Sequence, residues 1–315
     1  MSAPAQTYAH HRRRLPDAAV LSDWRAPDGW SLRRFDWPSS VGRGRLLFQG
    51  GRGDVIEKYL ETFAHFHARG WSVTSFDWRG QGGSGRLSPD PHVGHASSFT
   101  PYVADLAALW REGDGEGGPR VAIGHSMGGH LLLRAMVDGS VAPDAAVLVA
   151  PMLGLRSPLG ARLGGRIARF VAGRGDPARA AWRGNERPAS LVSRQRLLTG
   201  DGDRYADEGW WYERTPSIRL GPPSWAWLAE AFRSTAALEA DPRLDALAVP
   251  VLTLVADRDG LVDARAALRV AARLPRGELM RFGPESAHEI LREVDPIRDR
   301  ALAAIDAFLD RHAPA

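Results

Sequence analysis

The stretch Gly124-His125-Ser126-Met127-Gly128-Gly129 decides the fold of this 315-residue chain. It lies between an apolar run, Val121-Ala122-Ile123, and a helical pattern from Leu131 to Val137. A serine with glycines two residues before and after it is typical of a sharp strand-to-helix turn, where a flanking Cβ would collide with the neighbouring element. Such a turn exposes the hydroxyl and places the following N–H groups at a helix N-terminus, which favours developing negative charge. The stretch predicts a reactive Ser126, although a glycine-rich loop that only happens to contain a serine has the same local pattern.

Composition favours a large globular chain. With 44% hydrophobic residues the protein can bury a sizeable core. No apolar run approaches the roughly 18–20 residues of a membrane span, and no apolar stretch follows the basic residues 10–14 as in a secretory signal. We therefore expect a cytoplasmic protein. The absence of cysteine excludes disulfides, thiol catalysis and cysteine-ligated metals.

The charge pattern gives no sign of a nucleic-acid partner. Lys58 is the only lysine, so nearly all positive charge is arginine, and the net charge is +4. The chain has no nucleic-acid recognition motif, repeat or long basic run. We expect no nucleic-acid binding.

Apolar β-type runs alternate with helical patterns along most of the chain. This alternation predicts an α/β fold, with a mostly parallel, doubly wound sheet and helices on both faces. The predicted strands are 45–48, 71–76, 120–123, 145–149, 249–255 and 278–282, and an amphipathic helix from 297 to about 309 closes the chain.

The alternation stops between residues 151 and 240, which contain no convincing strand. We expect a mainly helical cap (151–240) inserted between two parts of a core (1–150 and 241–315), above the strand ends where α/β sheets bind ligands. The alternative is a subdomain whose aromatic residues pack only on themselves. The segment is rich in such residues: Trp182, Trp210, Trp211, Tyr212, Trp225, Trp227 and Phe232.

A serine nucleophile needs a histidine base and a carboxylate that orients this base. In doubly wound hydrolases the chain order is serine, acid, histidine. Two histidines follow the last candidate acid loop. His288 lies directly after the last predicted strand, whereas His312 lies near the C-terminus beyond the final helix. Position therefore favours His288.

Three aspartates compete for the role of the acid after the strand 249–255. Asp263 precedes a helical pattern and is the expected N-cap of that helix. Asp259 precedes Gly260-Leu261-Val262, where a tight turn and an apolar anchor would direct its carboxylate across the sheet edge. We favour Asp259 and keep Asp257 as the alternative.

Acyl transfer also requires N–H donors for an oxyanion. One donor should be the backbone N–H of Met127, which directly follows the serine. The second should come from the loop Gly50-Gly51-Arg52-Gly53, and we expect it to be the N–H of Arg52.

With these residues placed, the chain resembles α/β-hydrolases of the lysophospholipase L2 and monoacylglycerol lipase branch, grouped with serine aminopeptidases of type S33. The resemblance extends over nearly all residues beyond about 40. The motifs that carry it are Gly51-Arg52, residues 77–87, the Ser126 turn, the Asp259 loop, 288–291, and more specifically 90–95, 193–196 and 222–225. It implies the nucleophile Ser126, the acid Asp259, the base His288 and the oxyanion donors Arg52 and Met127. Gly50-Gly51 stands where most relatives have His-Gly.

The resemblance implies a serine hydrolase without a cofactor that cleaves esters of single-acyl lipids, either lysophospholipids or monoacylglycerols. A general carboxylesterase is one alternative. An aminopeptidase is another, and it would need a carboxylate to hold the substrate amine; the candidates are Glu208, Glu213 and Glu230. A third alternative is a homologue that binds a ligand but has no catalytic activity.

Two further patterns need an interpretation. His92 and His95 have a spacing that suits a metal, but nothing nearby completes a ligand set, so we expect a hydrogen-bonding role in a loop. Between Arg156 and Arg196 the sequence has ten arginines and two acids, and thus a net charge of +8. This basic, amphipathic segment suits an anionic membrane surface, although a solvated arginine face has the same pattern.

Overall fold

A computed structural model describes residues 9–113, 117–182 and 194–315 of the chain. Its described residues form one eight-stranded sheet with the order β1-β2-β4-β3-β5-β6-β7-β8. Strands β3 to β8 pair in parallel, and β1 and β2 add an antiparallel edge. The strands are β1 Val20–Arg25, β2 Ser31–Trp37, β3 Gly44–Gln49, β4 Trp71–Phe76, β5 Arg120–His125, β6 Ala145–Val149, β7 Val251–Ala256 and β8 Gly277–Phe282.

Helices cover both faces of the sheet, as expected for the predicted α/β fold. Two clusters of buried apolar side chains, one on each face, form the core. The α-helices that lie wholly within the described residues are α1 Leu60–His67, α2 Thr100–Glu112, α3 Met127–Val137, α4 Gly160–Ala172, α5 Gly202–Arg214, α6 Trp225–Glu239, α7 Ala264–Ala271 and α8 Asp295–His312.

The six predicted strands correspond to β3–β8, with bounds that differ by at most two residues. The hairpin of β1 and β2 was not predicted. Most of β1 is exposed, and both strands carry charged side chains, so neither presents an apolar run. The buried apolar residues of β2 are few and divided between the two faces of the sheet: Leu32 belongs to one core cluster, and Phe35 and Trp37 belong to the other.

The residues between β6 and β7, here called the helical insertion (150–250), are helical in α4, α5 and α6. The insertion joins the core through the loop that follows β4. Gly94 pairs with Pro223, and the Gly94 N–H donates to the Pro222 carbonyl at 2.9 Å. Arg86 adds hydrogen bonds from its guanidinium to the carbonyls of Ser217 and Arg219. Across the described ranges, no helix has the length and apolar character needed to cross a membrane.

Candidate active site

Ser126 lies at the turn between β5 and α3 with a strained backbone. Its φ of 52° and ψ of −117° are rare for a residue with a Cβ. The turn is held on both sides, because the Ser126 N–H donates to Val149 and the Ser126 carbonyl accepts from His130 and Met152. The surrounding structure thus offsets the cost of this conformation and fixes the position of the hydroxyl.

The glycines around Ser126 are required by close backbone contacts. A Cβ on Gly124 would lie 2.7 Å from the Gly128 carbonyl oxygen. A Cβ on Gly128 would lie 2.5 Å from the carbonyl oxygens of Gln49 and Gly50. The collisions predicted from the sequence are therefore present at both flanking positions.

The structure brings Ser126, His288 and Asp259 together at the carboxyl ends of three strands. The Nε2 atom of His288 is 2.9 Å from the Ser126 Oγ, and its Nδ1 atom is 2.5 Å from Asp259 Oδ2. All three side chains are buried, with Ser126 the most accessible at 9% exposure. This is the geometry in which an imidazole takes the serine proton while a carboxylate holds the ring.

The acid loop separates the three competing aspartates. Asp259 is buried, and its Oδ1 accepts the N–H groups of Leu261 and Val262, so the turn orients the carboxylate toward His288. Asp257 is exposed and pairs with Arg281 on β8. Asp263 caps α7 through the N–H of Arg265, as predicted.

Burial and pairing shift the pKa values of His288 and Asp259 in opposite directions. Burial alone would lower the pKa of His288, but the negative charge and hydrogen bond of Asp259 outweigh it and raise this pKa. Burial would raise the pKa of Asp259, and the contact with His288 lowers it instead. The pair therefore favours an ionised Asp259 and a His288 of increased basicity.

Gly51, in the loop after β3, lies against the nucleophile. A Cβ on Gly51 would be 2.9 Å from the Ser126 Cβ. In the part of the chain that the structure describes, the N–H groups of Arg52 and Met127 have no hydrogen-bond acceptor. One of these donors directly follows the serine and the other directly follows Gly51, and unpaired backbone donors of this kind are what an oxyanion site requires.

A buried ionic cluster supports this loop, and sequence reasoning did not identify it. Asp54 accepts hydrogen bonds from the Gly51 N–H (2.6 Å) and the Lys58 Nζ (2.5 Å). Lys58 also donates to Glu289, which follows His288, at 2.6 Å. His125, next to the serine, lies 3.0 Å from Asp54. The available signal was Lys58 itself, the only lysine in an arginine-rich chain.

The remaining histidine candidates lie away from Ser126. His95 contacts the Ser224 hydroxyl through Nδ1 at 2.9 Å, and the His92 carbonyl accepts from Gly221, so both serve the loop that holds the insertion. His312 pairs with Glu278 at the end of α8. No group of histidine and carboxylate side chains within the described residues could hold a metal ion.

The carboxylates considered for an amine site are engaged or exposed. Glu208 pairs with Arg194 and accepts from Tyr212, and Glu230 pairs with Arg233. Glu213 is exposed on α5. None of the three is a free buried carboxylate within the described insertion.

The aromatic residues of the insertion have different surroundings. Trp227 is buried against Phe99, with 5.9 Å between ring centroids, and lies beside the Arg52 side chain. Trp211 instead donates to the Arg12 carbonyl, and Trp182 is 41% exposed. Ser193, Arg183, Glu186 and Arg187 lie outside the described residues.

The parallel sheet and the buried Ser126–His288–Asp259 arrangement define the chain as an α/β-hydrolase. Residues 42–295 match the sequence model of the family described as serine aminopeptidase, S33. The chain belongs to this family. It is 33% identical to lysophospholipase L2 of Escherichia coli K12 over 232 residues, which cover 71% of this chain and 67% of that protein.

Solved structures share the fold. The monoglyceride lipase of Saccharomyces cerevisiae, solved as a soluble variant with a substrate analog, superposes with a TM-score of 0.74 at 20% identity, covering 97% of this chain and 99% of that one. The monoacylglycerol lipase of Paleococcus ferrophilus gives 0.70 at 21% identity, covering 89% and 98%.

Proposed function

We propose that this protein is a serine hydrolase that cleaves the carboxylic ester of single-acyl lipids. The observation that carries the proposal is the pair of hydrogen bonds that link Ser126 to His288 and His288 to Asp259. The names of similar proteins, a lysophospholipase and two monoacylglycerol lipases, support the substrate class.

In the proposed mechanism His288 removes the proton of Ser126 as its Oγ attacks the ester carbonyl. The N–H groups of Met127 and Arg52 stabilise the oxyanion. His288 then gives the proton to the departing alcohol, which leaves an acyl-enzyme on Ser126. Water, activated by the same imidazole, releases the fatty acid and regenerates the serine.

Residues 151–240 act in this proposal as a cap that also contacts the lipid surface. Helix α4 packs on α6 through small residues, since Gly164 and Gly165 lie against Phe232 and Ala168 is its only buried residue. Its large apolar side chains therefore point outward: Leu163 is 47% exposed and Phe170 58%.

Arginines border this apolar face of α4. At 100° per residue, Arg162, Arg166 and Arg169 fall on an arc beside Leu163, Ile167 and Phe170. Exposed apolar residues next to cations fit the interface of an anionic membrane. Arg156, just before α4, donates to the Asp259 carbonyl at 3.0 Å, so a docked α4 would bring the acid loop close to the lipid.

Ester hydrolysis is favoured over aminopeptidase action by the charges around the site. An amine site needs an unpaired carboxylate, whereas Glu208 and Glu230 are neutralised by arginines. The test is a panel of lysophospholipids, monoacylglycerols, p-nitrophenyl esters and aminoacyl amides, with Ser126→Ala as the control. Fluorophosphonate labelling at Ser126 and turnover of the lipid esters are expected. Turnover restricted to the amides, or no label on folded protein, would overturn the proposal.

A further inference from the structure

The side chain of Arg52 is a partly buried cation without a counterion. Its Nη1 donates to the Gly221 carbonyl at 2.9 Å, and its guanidinium lies 5.6 Å from the ring centroid of Trp227. Within the described ranges no carboxylate lies within ion-pair distance of it. Arginine has five N–H donors in a planar fork, so most of them lack a protein acceptor here.

The acids nearest to Arg52 are already neutralised by other cations. Glu208 pairs with Arg194 at 3.3 Å and lies 3.8 Å from the Nζ of Lys58. Asp54 is held by Lys58 and accepts from Tyr59. Burial, together with the nearby positive charge of Arg194, lowers the pKa of Arg52 to about 10. The guanidinium is still charged near neutral pH, and its surroundings do not compensate that charge.

Arg52 also lies within reach of a substrate headgroup. It follows Gly51, which contacts the Ser126 side chain, and its guanidinium faces the insertion at Gly221 and Trp227. In a lysophospholipid six bonds separate the ester carbon from the phosphorus, a span of at most about 7 Å by analogy with extended backbone. An arginine side chain reaches about 6 Å from its Cα by the same measure.

We propose that the Arg52 side chain binds the phosphodiester of the substrate and makes the enzyme select lysophospholipids over uncharged monoacylglycerols. Guanidinium and phosphate oxygens form paired, charge-assisted hydrogen bonds, which are stronger than neutral ones. The bound phosphate supplies the counterion that the protein does not. This inference rests on the proposed ester hydrolysis and assigns the side chain of Arg52 a role separate from that of its backbone N–H.

The test compares a short-chain lysophosphatidylcholine with the monoacylglycerol of the same acyl length, both below their micelle-forming concentrations. Arg52→Met is expected to reduce kcat/KM for the lysophospholipid roughly 10- to 100-fold more than for the monoacylglycerol. For Arg52→Lys, the ratio of kcat/KM on the lysophospholipid to kcat/KM on the monoacylglycerol should lie between those of the wild type and Arg52→Met. Lysine keeps the charge but cannot form the paired hydrogen bonds of a guanidinium. Arg196→Met is the matched control, because Arg196 is an exposed arginine of the helical insertion, and it should leave the ratio of the two kcat/KM values unchanged.

A binding measurement separates recognition from chemistry. In the Ser126→Ala background, Arg52→Met should weaken lysophosphatidylcholine binding by a similar factor. The proposed role of Arg52 would be overturned if Arg52→Met lowered kcat/KM equally for both lipids, or if its ratio of the two kcat/KM values matched that of Arg196→Met. Neither result would affect the proposed ester hydrolysis. Failure of the wild type on both lipids would instead reject the proposed function.

Discussion

The carboxylate of Asp54 accepts a 2.6 Å hydrogen bond from the backbone N–H of Gly51. The same Oδ2 atom lies 3.0 Å from the Nδ1 of His125, the residue before the nucleophile. One buried carboxylate thus connects the loop that carries the proposed second oxyanion donor to the last residue of β5, directly before Ser126. The relative position of the two depends on Asp54.

Replacing Asp54 with asparagine should therefore impair catalysis without removing any group that touches the substrate. The amide lacks the charge that holds Lys58 and cannot accept at both oxygen positions, so the Gly51 loop should shift. A displacement of about 1 Å can cost roughly 10²-fold in rate, and we expect that loss mainly in kcat on a p-nitrophenyl ester. The exposed Asp257→Asn is the control. An Asp54→Asn enzyme with unchanged kcat would show that the loop is held by other contacts.

Lys58 should be essential for stability. Its side chain is 3% exposed, and its ammonium lies between the carboxylates of Asp54 and Glu289. Lys58→Met would leave Asp54 buried without its cation, whereas Glu289 keeps its pair with Arg292. Breaking a buried pair in this way typically costs about 3–5 kcal/mol. Urea unfolding should report the loss as a lower midpoint. Arg281→Met, which breaks an exposed pair with Asp257, should leave the midpoint unchanged.

The sequence predicted the parts of the site that depend on chain order and local turns. Ser126 was identified from its flanking glycines, and His288 from its position after the last strand. Both features are local, and the sheet then brings them together. The preference for Asp259 over Asp257 followed from the turn at Gly260, and Asp259 is the aspartate that lies beside His288.

The ionic cluster and the edge hairpin could not be predicted in the same way. Lys58 and Glu289 are 231 positions apart, and no local pattern indicates that they meet. The sequence showed that the segment of α4 is amphipathic, but not that its apolar side chains face outward. It arises because Gly164, Gly165 and Ala168 allow close contact with α6, which leaves the larger side chains on the surface.

The choice between the two acids can be tested directly. Asp259→Asn should lower kcat by about 10⁴-fold, because the amide favours the wrong tautomer of His288. Asp257→Asn should retain nearly all activity, since Asp257 contacts Arg281 at the surface. The measurement is the steady-state kcat of both variants on the same ester. If Asp257→Asn lost more activity than Asp259→Asn, Asp257 would be the acid of the triad.

The raised pKa of His288 predicts the acid limb of the pH profile. The base must be neutral to accept the Ser126 proton, so activity falls as the pH drops through this pKa. The limb of kcat/KM should therefore lie above the ordinary histidine value of about 6.5. In Asp259→Asn the carboxylate no longer opposes the effect of burial, so the pKa of His288 should fall. The acid limb of the residual activity should therefore lie at lower pH than in the wild type. An unshifted limb in the variant would mean that another group governs the profile.

The exposed face of α4 should control binding to lipid vesicles. We expect Leu163→Asp/Phe170→Asp to reduce partitioning onto phosphatidylglycerol-containing vesicles by about tenfold or more, because two side chains lose their burial in the interface. Val41→Asp is the matched control, since Val41 is a 75% exposed apolar residue on the β2–β3 connection. Vesicle flotation measures both variants. Raising the salt from 0.1 to 1 M shortens the screening length from about 10 to 3 Å, so wild-type binding should weaken on anionic vesicles far more than on phosphatidylcholine alone. Equal partitioning of the double variant and the control would exclude α4 as the membrane contact.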